Sequence, residues 1–486
     1  MKLVRDVPSA DERYGLQWPG KRAAIDLALA PAGTSLVAVP DESVDWERTK
    51  NLLIEGDNLD ALKLLRADLQ GAIKLIHIDP PYNTGKNFTY ADDFQGAESV
   101  HTDWLNMIYP RLLLARDLLR DDGAMIIHID EHEHANLHAV VSEIFGAANL
   151  LGVAVWDKRN PKGDASGLAY QHESIFFVAK NRTVFVEAGG LRRRKKNAEA
   201  MLAKAKSLFA RLGKVDLPSD LKDVARRYGL ADASTDPFRR KIDLVRVNEE
   251  FADWVRSQNF SGGESAYNKI DAEGRVYRLV SMAWPNKKRA PDDYFLPLLH
   301  PVTGEACPVP KRGWRNPPET MQRLLSRGEI VFGADHTVQP QRKYRLDQNL
   351  DENVPSVIAY GGSDDALLAE LGIPFDTPKP VELVRDLLAA VLHQQPGGIV
   401  LDFFAGSGTV AHAVMLHNAA TGDDARFILV QRPEPLDAGK RDQRAAAEFC
   451  DAIGKPRTVA EITKERVRRA GAQCPSAPGF RVFRLA

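Results

Sequence analysis

Asp79-Pro80-Pro81-Tyr82 is a stretch whose residue types and order could handle an amino group. Two prolines in series cannot continue a β-ladder, because each lacks an N–H and has a fixed φ. They hold a strand end rigid. The Asp79 carboxylate and the Pro80 carbonyl then become preset acceptors beside an aromatic ring. An amino group conjugated to a ring is a poor nucleophile, since its lone pair is delocalised. Two fixed acceptors can engage both N–H bonds and favour a more tetrahedral nitrogen, whose lone pair is then available to an alkyl donor. Tyr82 offers a face for stacking a planar ring, a contact worth about 1–3 kcal/mol. Orientation of the reactants would supply the rest of the catalysis. The same four letters also describe a plain Pro-Pro loop breaker preceded by a chance Asp.

Asp402-Phe403-Phe404-Ala405-Gly406-Ser407-Gly408-Thr409 is the second stretch of interest. Its glycines allow a sharp turn and close approach of the backbone to a ligand. The helix that follows presents its N-terminus to electron-rich groups. Such turns at the carboxyl ends of strands bind nucleotide-like cofactors in α/β sheets. The full G-x-G-x-x-G fingerprint is absent, because Ala411 occupies the third glycine position, and there is no G-K-[ST] of a P-loop. Taken alone, the turn could be purely structural.

The elements that must position these turns follow from periodicity. Residues 73–79 (IKLIHID) read as a buried parallel strand halted by prolines. Residues 58–67 have helical spacing, and 104–119 read as a helix with Pro110 near its first turns. Residues 121–123 (DDG) suggest a turn and 124–130 (AMIIHID) another buried strand. Residues 153–156 and 175–178 suggest two more. Strand–helix alternation returns near 378: helix 381–392, strand 398–403, the glycine turn, helix 410–417 and strand 426–431. Two α/β blocks separated by a different texture predict one doubly wound, mostly parallel sheet interrupted by an insertion. The expected layout is an N-terminal extension at 1–50, a first half at 51–190, an insertion at 191–370 and a second half at 371–486.

Bulk properties narrow the function classes. The chain has 486 residues, enough for two or three domains. Its 65 Lys+Arg and 66 Asp+Glu nearly cancel, so any nucleic-acid surface must be local. Cys307, Cys450 and Cys474 have no C-x-x-C spacing, which argues against a disulfide framework or zinc site and fits a reducing cytosol. The beginning of the sequence has no signal-peptide pattern and no apolar run long enough for a membrane span, so a soluble cytoplasmic protein is expected.

Some features are ambiguous. His128, His132, His134 and His138 cluster with Glu131 and Glu133, but without H-E-x-x-H spacing; no metal site is expected there. The run Arg192-Arg193-Arg194-Lys195-Lys196 opens a stretch that reads as strongly helical to about Leu230. Residues 191–230 hold twelve Lys+Arg against four Asp+Glu. That excess suits phosphate contact and also suits a solvated helix face. Further on, Trp254, Tyr267, Tyr277, Trp284 and Trp314 alternate with Arg275, Arg278, Lys287, Lys288 and Arg289. Such a mixture fits a DNA-facing domain or a small ordinary core.

Taken together, the two turns in this order resemble the amino-methyltransferase family of DNA methyltransferases, in its β-class permutation. The catalytic turn comes first, a large insertion follows, and the cofactor turn comes late. Gly56-Asp57-Asn58-Leu59, Thr377-Pro378-Lys379-Pro380, Gly313-Trp314-Arg315, Ala460-Glu461-Ile462-Thr463 and Gly479 to Phe483 extend the likeness to modification (Mod) subunits of Type III restriction–modification systems, over roughly residues 50–486. The resemblance implies a Rossmann-like methyltransferase sheet with an inserted target-recognition domain. It implies S-adenosylmethionine as cofactor and double-stranded DNA as substrate, methylated at N6 of a flipped adenine. Asp-Pro-Pro-Tyr is the form associated with N6-adenine enzymes. Asp79, Pro80, Pro81 and Tyr82 would form the catalytic pocket, with Trp156 a second stacking wall or a core residue. Asp57, Asp79, Thr377, Lys379, Asp402, Phe403, Ala405, Gly406, Ser407, Gly408, Thr409 and Glu434 would bind the cofactor. Arg192 to Lys196 and Lys287 to Arg289 would contact DNA. A homodimer and a restriction subunit with ATPase activity are implied partners. N4-cytosine methylation and a catalytically silent specificity subunit stay open as alternatives. A nicotinamide oxidoreductase has least support, because the dinucleotide fingerprint is incomplete.

Overall fold

The computed structural model describes residues 15–87, 91–92, 94, 100–159, 168–212, 232–393 and 396–486. The chain divides into two compact units. One comprises residues 1–193 and 353–486, the other residues 194–352.

A ten-stranded sheet organises the larger unit. Its strands in chain order are β1 (Leu36–Ala38), β2 (Leu52–Glu55), β3 (Ile73–Ile78), β4 (Leu119–Ile129), β5 (Leu150–Asp157), β6 (His172–Ala179), β7 (Val357–Ala359), β8 (Ile399–Asp402), β9 (Arg426–Gln431) and β10 (Arg481–Leu485). Their spatial order is β1-β10-β2-β9-β8-β3-β4-β6-β5-β7. The run from β10 to β4 is wholly parallel. Antiparallel β6 and β5 follow it, and β7 pairs parallel with β5. This is the mixed, mostly parallel α/β sheet that the alternation predicts.

Helices cover the sheet: α1 (Lys21–Leu29), α2 (Asn58–Leu69), α3 (Val100–Leu118), α4 (His134–Phe145), α5 (Val381–Leu392), α6 (Thr409–Thr421) and α7 (Val459–Gln473). All six residues of β3 are buried, as the central position of an apolar run requires. Lys74 within it is tolerated because its Nζ donates to the Asp122 carbonyl at 2.7 Å and to its carboxylate at 3.1 Å. Asp57 caps α2 by accepting from the Leu59 N–H at 2.8 Å, a contact worth about 1 kcal/mol.

Four expectations need correction. Residues 121–123 are not a free turn; they lie inside β4, where the register with β3 jumps from Ile73↔Leu119 to Leu75↔Ala124. The basic run does not open a helix: Arg192–Arg194 is a short strand, and the helix begins only at Ala198. Residues 353–370 belong to the larger unit, since β7 pairs with β5. The described residues 15–50 of the expected N-terminal extension belong to the larger unit. β1 joins the sheet antiparallel to β10, and α1 packs on α3, with Trp18 edge-on to Tyr109 at 5.2 Å.

The smaller unit contains the helices Ala198–Phe209 and Asp232–Ser257 and an antiparallel sheet of four strands. Residues 213–231, part of the stretch read as helical, lie outside the described residues. Met201, Leu208, Phe251, Val255, Tyr267 and Val276 form one core; Met282, Trp314, Met321 and Ile330 form another. Of the aromatic residues singled out, Tyr267 and Trp314 are core, Trp254 packs against the core, and Tyr277 and Trp284 are half-buried; Trp314 donates to the Leu296 carbonyl at 2.8 Å. No helix among the described residues is long and apolar enough to cross a membrane.

Candidate active site at the ends of two adjacent strands

β3 and β8 are parallel neighbours, with Val400 opposite Leu75 and Leu401 opposite Ile76. Their carboxyl ends therefore lie side by side. Asp79 follows the first and Asp402 ends the second, and both line one cleft with about 760 Å³ of empty space, including its open mouth. Of the residues expected from sequence, Asp79, Pro81, Thr377, Lys379, Asp402, Ala405, Gly406, Ser407, Thr409 and Glu434 line it. His77, Phe375, Pro378, Val384, Phe404, Val410, Gln431 and Val459 complete the wall.

The Asp-Pro-Pro-Tyr turn is braced from several sides. The buried Trp104 indole donates to the Pro81 carbonyl at 2.7 Å. Asn83 takes a positive φ of 63°, its N–H donates to Asp92 Oδ1 at 2.7 Å, and its side chain donates to Glu133 at 2.7 Å. Tyr82 Oη lies 2.6 Å from Asp79 Oδ1. Lys379 Nζ lies 2.7 Å from Asp79 Oδ2 and 5.0 Å from the centre of the Tyr82 ring. Behind them stands Glu173 on β6, which sequence reasoning missed. Its carboxylate lies 3.0 Å from Tyr82 Oη, 3.5 Å from Lys379 Nζ and 2.6 Å from Lys158 Nζ. Burial alone would raise its pKa, but Lys379 and Lys158 outweigh that and hold it down to about 2. Lys158 is thus an ion-pair partner of Glu173.

The glycine turn is built differently. Gly406 has φ +52°, and its N–H donates to Gln431 Oε1 at 2.7 Å. Its carbonyl accepts from Thr463 Oγ1 at 2.5 Å. A Cβ built on Gly406 would meet nothing closer than Phe375 Cζ at 3.7 Å. The absent side chain thus keeps a cradle open along the backbone. Gly408 caps α6 at φ +87°. Below the turn, Arg466 of α7 is completely buried and donates through Nη1 to Ser407 Oγ and Thr409 Oγ1. Among the described residues, its Nε and Nη2 reach no hydrogen-bond acceptor. Burial pushes its pKa down to about 10, though nearby Asp364 opposes the shift. Burial, with the nearby charge of Asp79, pushes Asp402 up to about 8 although the Phe404 N–H opposes it, so this carboxyl carries a proton at neutral pH. His77 and His128 are fully buried with facing Nε2 atoms 3.2 Å apart, and burial holds both far below the ordinary imidazole value.

Several expected site residues stand elsewhere. Phe403 points into the core, because successive residues at a strand end face opposite ways; Phe404 faces the cleft instead. Asp57 caps α2 and pairs with Arg111 at 3.4 Å, outside the cleft lining. Its neighbour Asn58 donates to the Phe403 carbonyl at 2.7 Å, so this segment supports the turn from behind. Trp156 is 3% exposed, donates to the Tyr360 carbonyl at 2.9 Å and meets His128 edge-on at 6.2 Å. That is the core alternative, with no face left for a stacked ring. Lys195 is also buried, donating to the Asn349 and Asp351 carbonyls, so it is unavailable to phosphate. Arg192, Arg194, Lys196, Lys287, Lys288 and Arg289 are exposed and Arg193 is half-buried. In the histidine-rich loop, Asp130, Glu131 and His132 bring ligand-type atoms within 4.8 Å of one another, as exposed acidic groups commonly do.

Residues 73–428 match the N6/N4 methyltransferase family, described as DNA methylase. The chain belongs to the DNA methylase family. The methylase is 32% identical to the Type III restriction-modification enzyme EcoP15I Mod subunit of Escherichia coli, over all of this chain and 73% of that relative. It is 29% identical to the EcoPI Mod subunit of Escherichia phage P1, over 96% of this chain and 70% of the relative. Its identity to the Type II methyltransferase M.KpnI of Klebsiella pneumoniae is 25%, over 80% of this chain and 82% of the relative. Family membership implies use of S-adenosylmethionine. The open backbone cradle at Gly406 and the acid-lined cleft beside it fit that group.

Proposed function

We propose that this methylase transfers a methyl group from S-adenosylmethionine to the N6 amino group of an adenine in duplex DNA, as the modification component of a restriction–modification system. One observation carries the reading: Asp79 and the glycine turn end adjacent parallel strands and open into one cleft. A methyl donor seated along Gly406 would thereby lie beside an amino group held at Asp79. The bound donor supplies an electrophilic methyl. The chain's own residues do the positioning. Asp79 and the Pro80 carbonyl accept the two amino N–H bonds, and the Tyr82 ring stacks the extruded base. Extrusion costs a few kcal/mol, which stacking worth about 1–3 kcal/mol helps offset. Thr377, Lys379, Ala405, Gly406, Ser407, Thr409 and Glu434 hold the cofactor. Residues 194–352 form the target-recognition region, and its exposed Arg194, Lys196, Lys287, Lys288 and Arg289 meet phosphates, as does the exposed Arg192 that precedes it in the chain. Likeness to Mod subunits of restriction-modification enzymes supports work beside a restriction subunit, and the proposed assembly of this chain is a homodimer.

The test is to incubate purified protein with labelled S-adenosylmethionine and unmethylated duplex DNA, then identify the modified nucleoside. N6-methyladenine is expected. N4-methylcytosine would keep the fold and the cleft but overturn the choice of base. A protein that binds cofactor and DNA yet labels no nucleoside, alone or with a restriction subunit, would point to a silent specificity subunit.

A further inference from the structure

Asp79 does not stand ready for an incoming amino group. Its Oδ1 accepts from Tyr82 Oη at 2.6 Å, and its Oδ2 is paired with Lys379 Nζ at 2.7 Å. An amino group arriving at this carboxylate would meet an ammonium already there, and two sets of donor hydrogens would converge on the same oxygen. Both donors on Asp79 share a second acceptor. Glu173 Oε2 is 3.0 Å from Tyr82 Oη and 3.5 Å from Lys379 Nζ. Glu173 is 7% exposed, sits on β6 opposite Trp156 of β5, and is anchored through its other oxygen by Lys158 at 2.6 Å.

Resting on the reading above, we propose that Glu173 is a positioning residue that takes Lys379 and Tyr82 over from Asp79 when the target amino group enters. The transfer requires little motion. Lys379 Nζ is within about 1 Å of full hydrogen-bond distance to Glu173. The Tyr82 hydroxyl needs only a rotation about its C–O bond, because Glu173 already lies within reach. No covalent bond is made or broken and no proton changes owner. Asp79, relieved of the ammonium, becomes a stronger acceptor for the amino N–H, while the carboxylate of Glu173 keeps the half-buried lysine paired. A lysine left without an anion there would carry the cost of an uncompensated charge. Glu173 is itself suited to this role, because three donors surround it and its ionised form is held across the whole working pH range.

The experiment uses the full chain. Glu173→Gln keeps the shape and removes the charge. Single-turnover methyl transfer to duplex DNA is expected to fall about tenfold or more, the equivalent of one charge-assisted hydrogen bond. Equilibrium affinity for S-adenosylmethionine without DNA is expected to stay within about twofold. The deciding readout is a double-mutant cycle with Lys379→Met. Once no ammonium needs to be moved, adding Glu173→Gln to Lys379→Met should cost little, so the two losses are strongly non-additive. If the losses simply add, or cofactor affinity falls in parallel with rate, Glu173 is only a packing residue and the proposal is wrong. Should the Gln variant not fold, Glu173→Asp retains the charge but withdraws it by one methylene, and the same cycle is run with it. A wild-type protein that methylates DNA with an unaffected Glu173→Gln variant overturns this inference alone. A wild-type protein that transfers no methyl group to DNA overturns both readings.

Discussion

Two turns at the ends of neighbouring strands, β3 and β8, are held by contrasting means. The turn after β3 is organised by ionised side chains: Asp79, Lys379, Glu173 and Lys158 alternate in sign within ion-pair distance. The turn after β8 is organised by backbone and neutral groups. Gly406 is fixed by Gln431 and Thr463, Asp402 is held protonated, and the charge of Arg466 is buried behind two hydroxyls. The difference teaches where each kind of force belongs. A group that must grip and release an amino nitrogen needs acceptors whose partners can be exchanged, and charges in a partly open cleft allow that. A cradle that must fit a cofactor along its backbone needs shape, and buried hydrogen bonds hold shape without presenting competing charge.

The largest test of the contrast is Asp79→Ala. It removes the acceptor on which the chemistry depends but leaves the glycine turn untouched. Methyl transfer should fall by roughly 10²–10⁴-fold, the scale of a lost catalytic carboxylate, while calorimetric affinity for S-adenosylmethionine changes little. Equal loss of affinity would mean that the two turns are not separable. Next comes Gly408→Ala. The residue sits at φ +87°, and an added Cβ would lie 3.0 Å from Val467 Cγ2 and 3.3 Å from Thr463 Cγ2. A cost of about 1–3 kcal/mol is expected from strain and crowding, read as a lower urea midpoint together with weaker cofactor binding. An unchanged midpoint would show that this turn tolerates side chains and is not shaped by its glycines. The last test concerns pH. Asp402 has a folded-state pKa raised to about 8, chiefly by burial, from 3.8. Its contribution to stability is therefore fully present below about pH 4 and is lost as pH rises through about 8, at no more than roughly 1.4 kcal/mol per pH unit. Asp402→Asn should flatten that part of the stability profile between pH 5 and 8.5. If wild type and variant keep parallel profiles in urea melts, Asp402 is not the proton carrier.

Much of the fold was legible because its signals are local. The apolar run ending in Pro80-Pro81 and the one ending in the glycine turn each declare a buried strand and its stop within a dozen residues. The misreadings arose where local signals conflict with pairing. Arg192–Arg194 looks like the start of a charged helix, yet forms a strand. Three-residue β7 is too short for any period, and only pairing with β5 makes it a strand. For the site, Gln431 and Glu173 were hidden near the ends of strands whose middles are apolar. Arg466 had a detectable signal: Thr463, Arg466, Val467 and Ala470 follow the spacing of one buried helix face, while Arg468 and Arg469 lie off it. The density of charge in that segment masks the pattern.

By itself the sequence determined the two reactive turns, the strands that end in them, and membership of the DNA methylase family, because prolines, glycines and apolar periods act over short distances. Tertiary structure alone decided which charges matter. Lys195 and Lys379 are the same letter, yet one is spent on backbone carbonyls and the other faces Asp79 and Glu173. Tyr82 and Glu173 meet although 91 positions separate them. The physical reason is that the worth of an ionised group depends on its burial and on the partner brought to it, and both are properties of the chain's path through space.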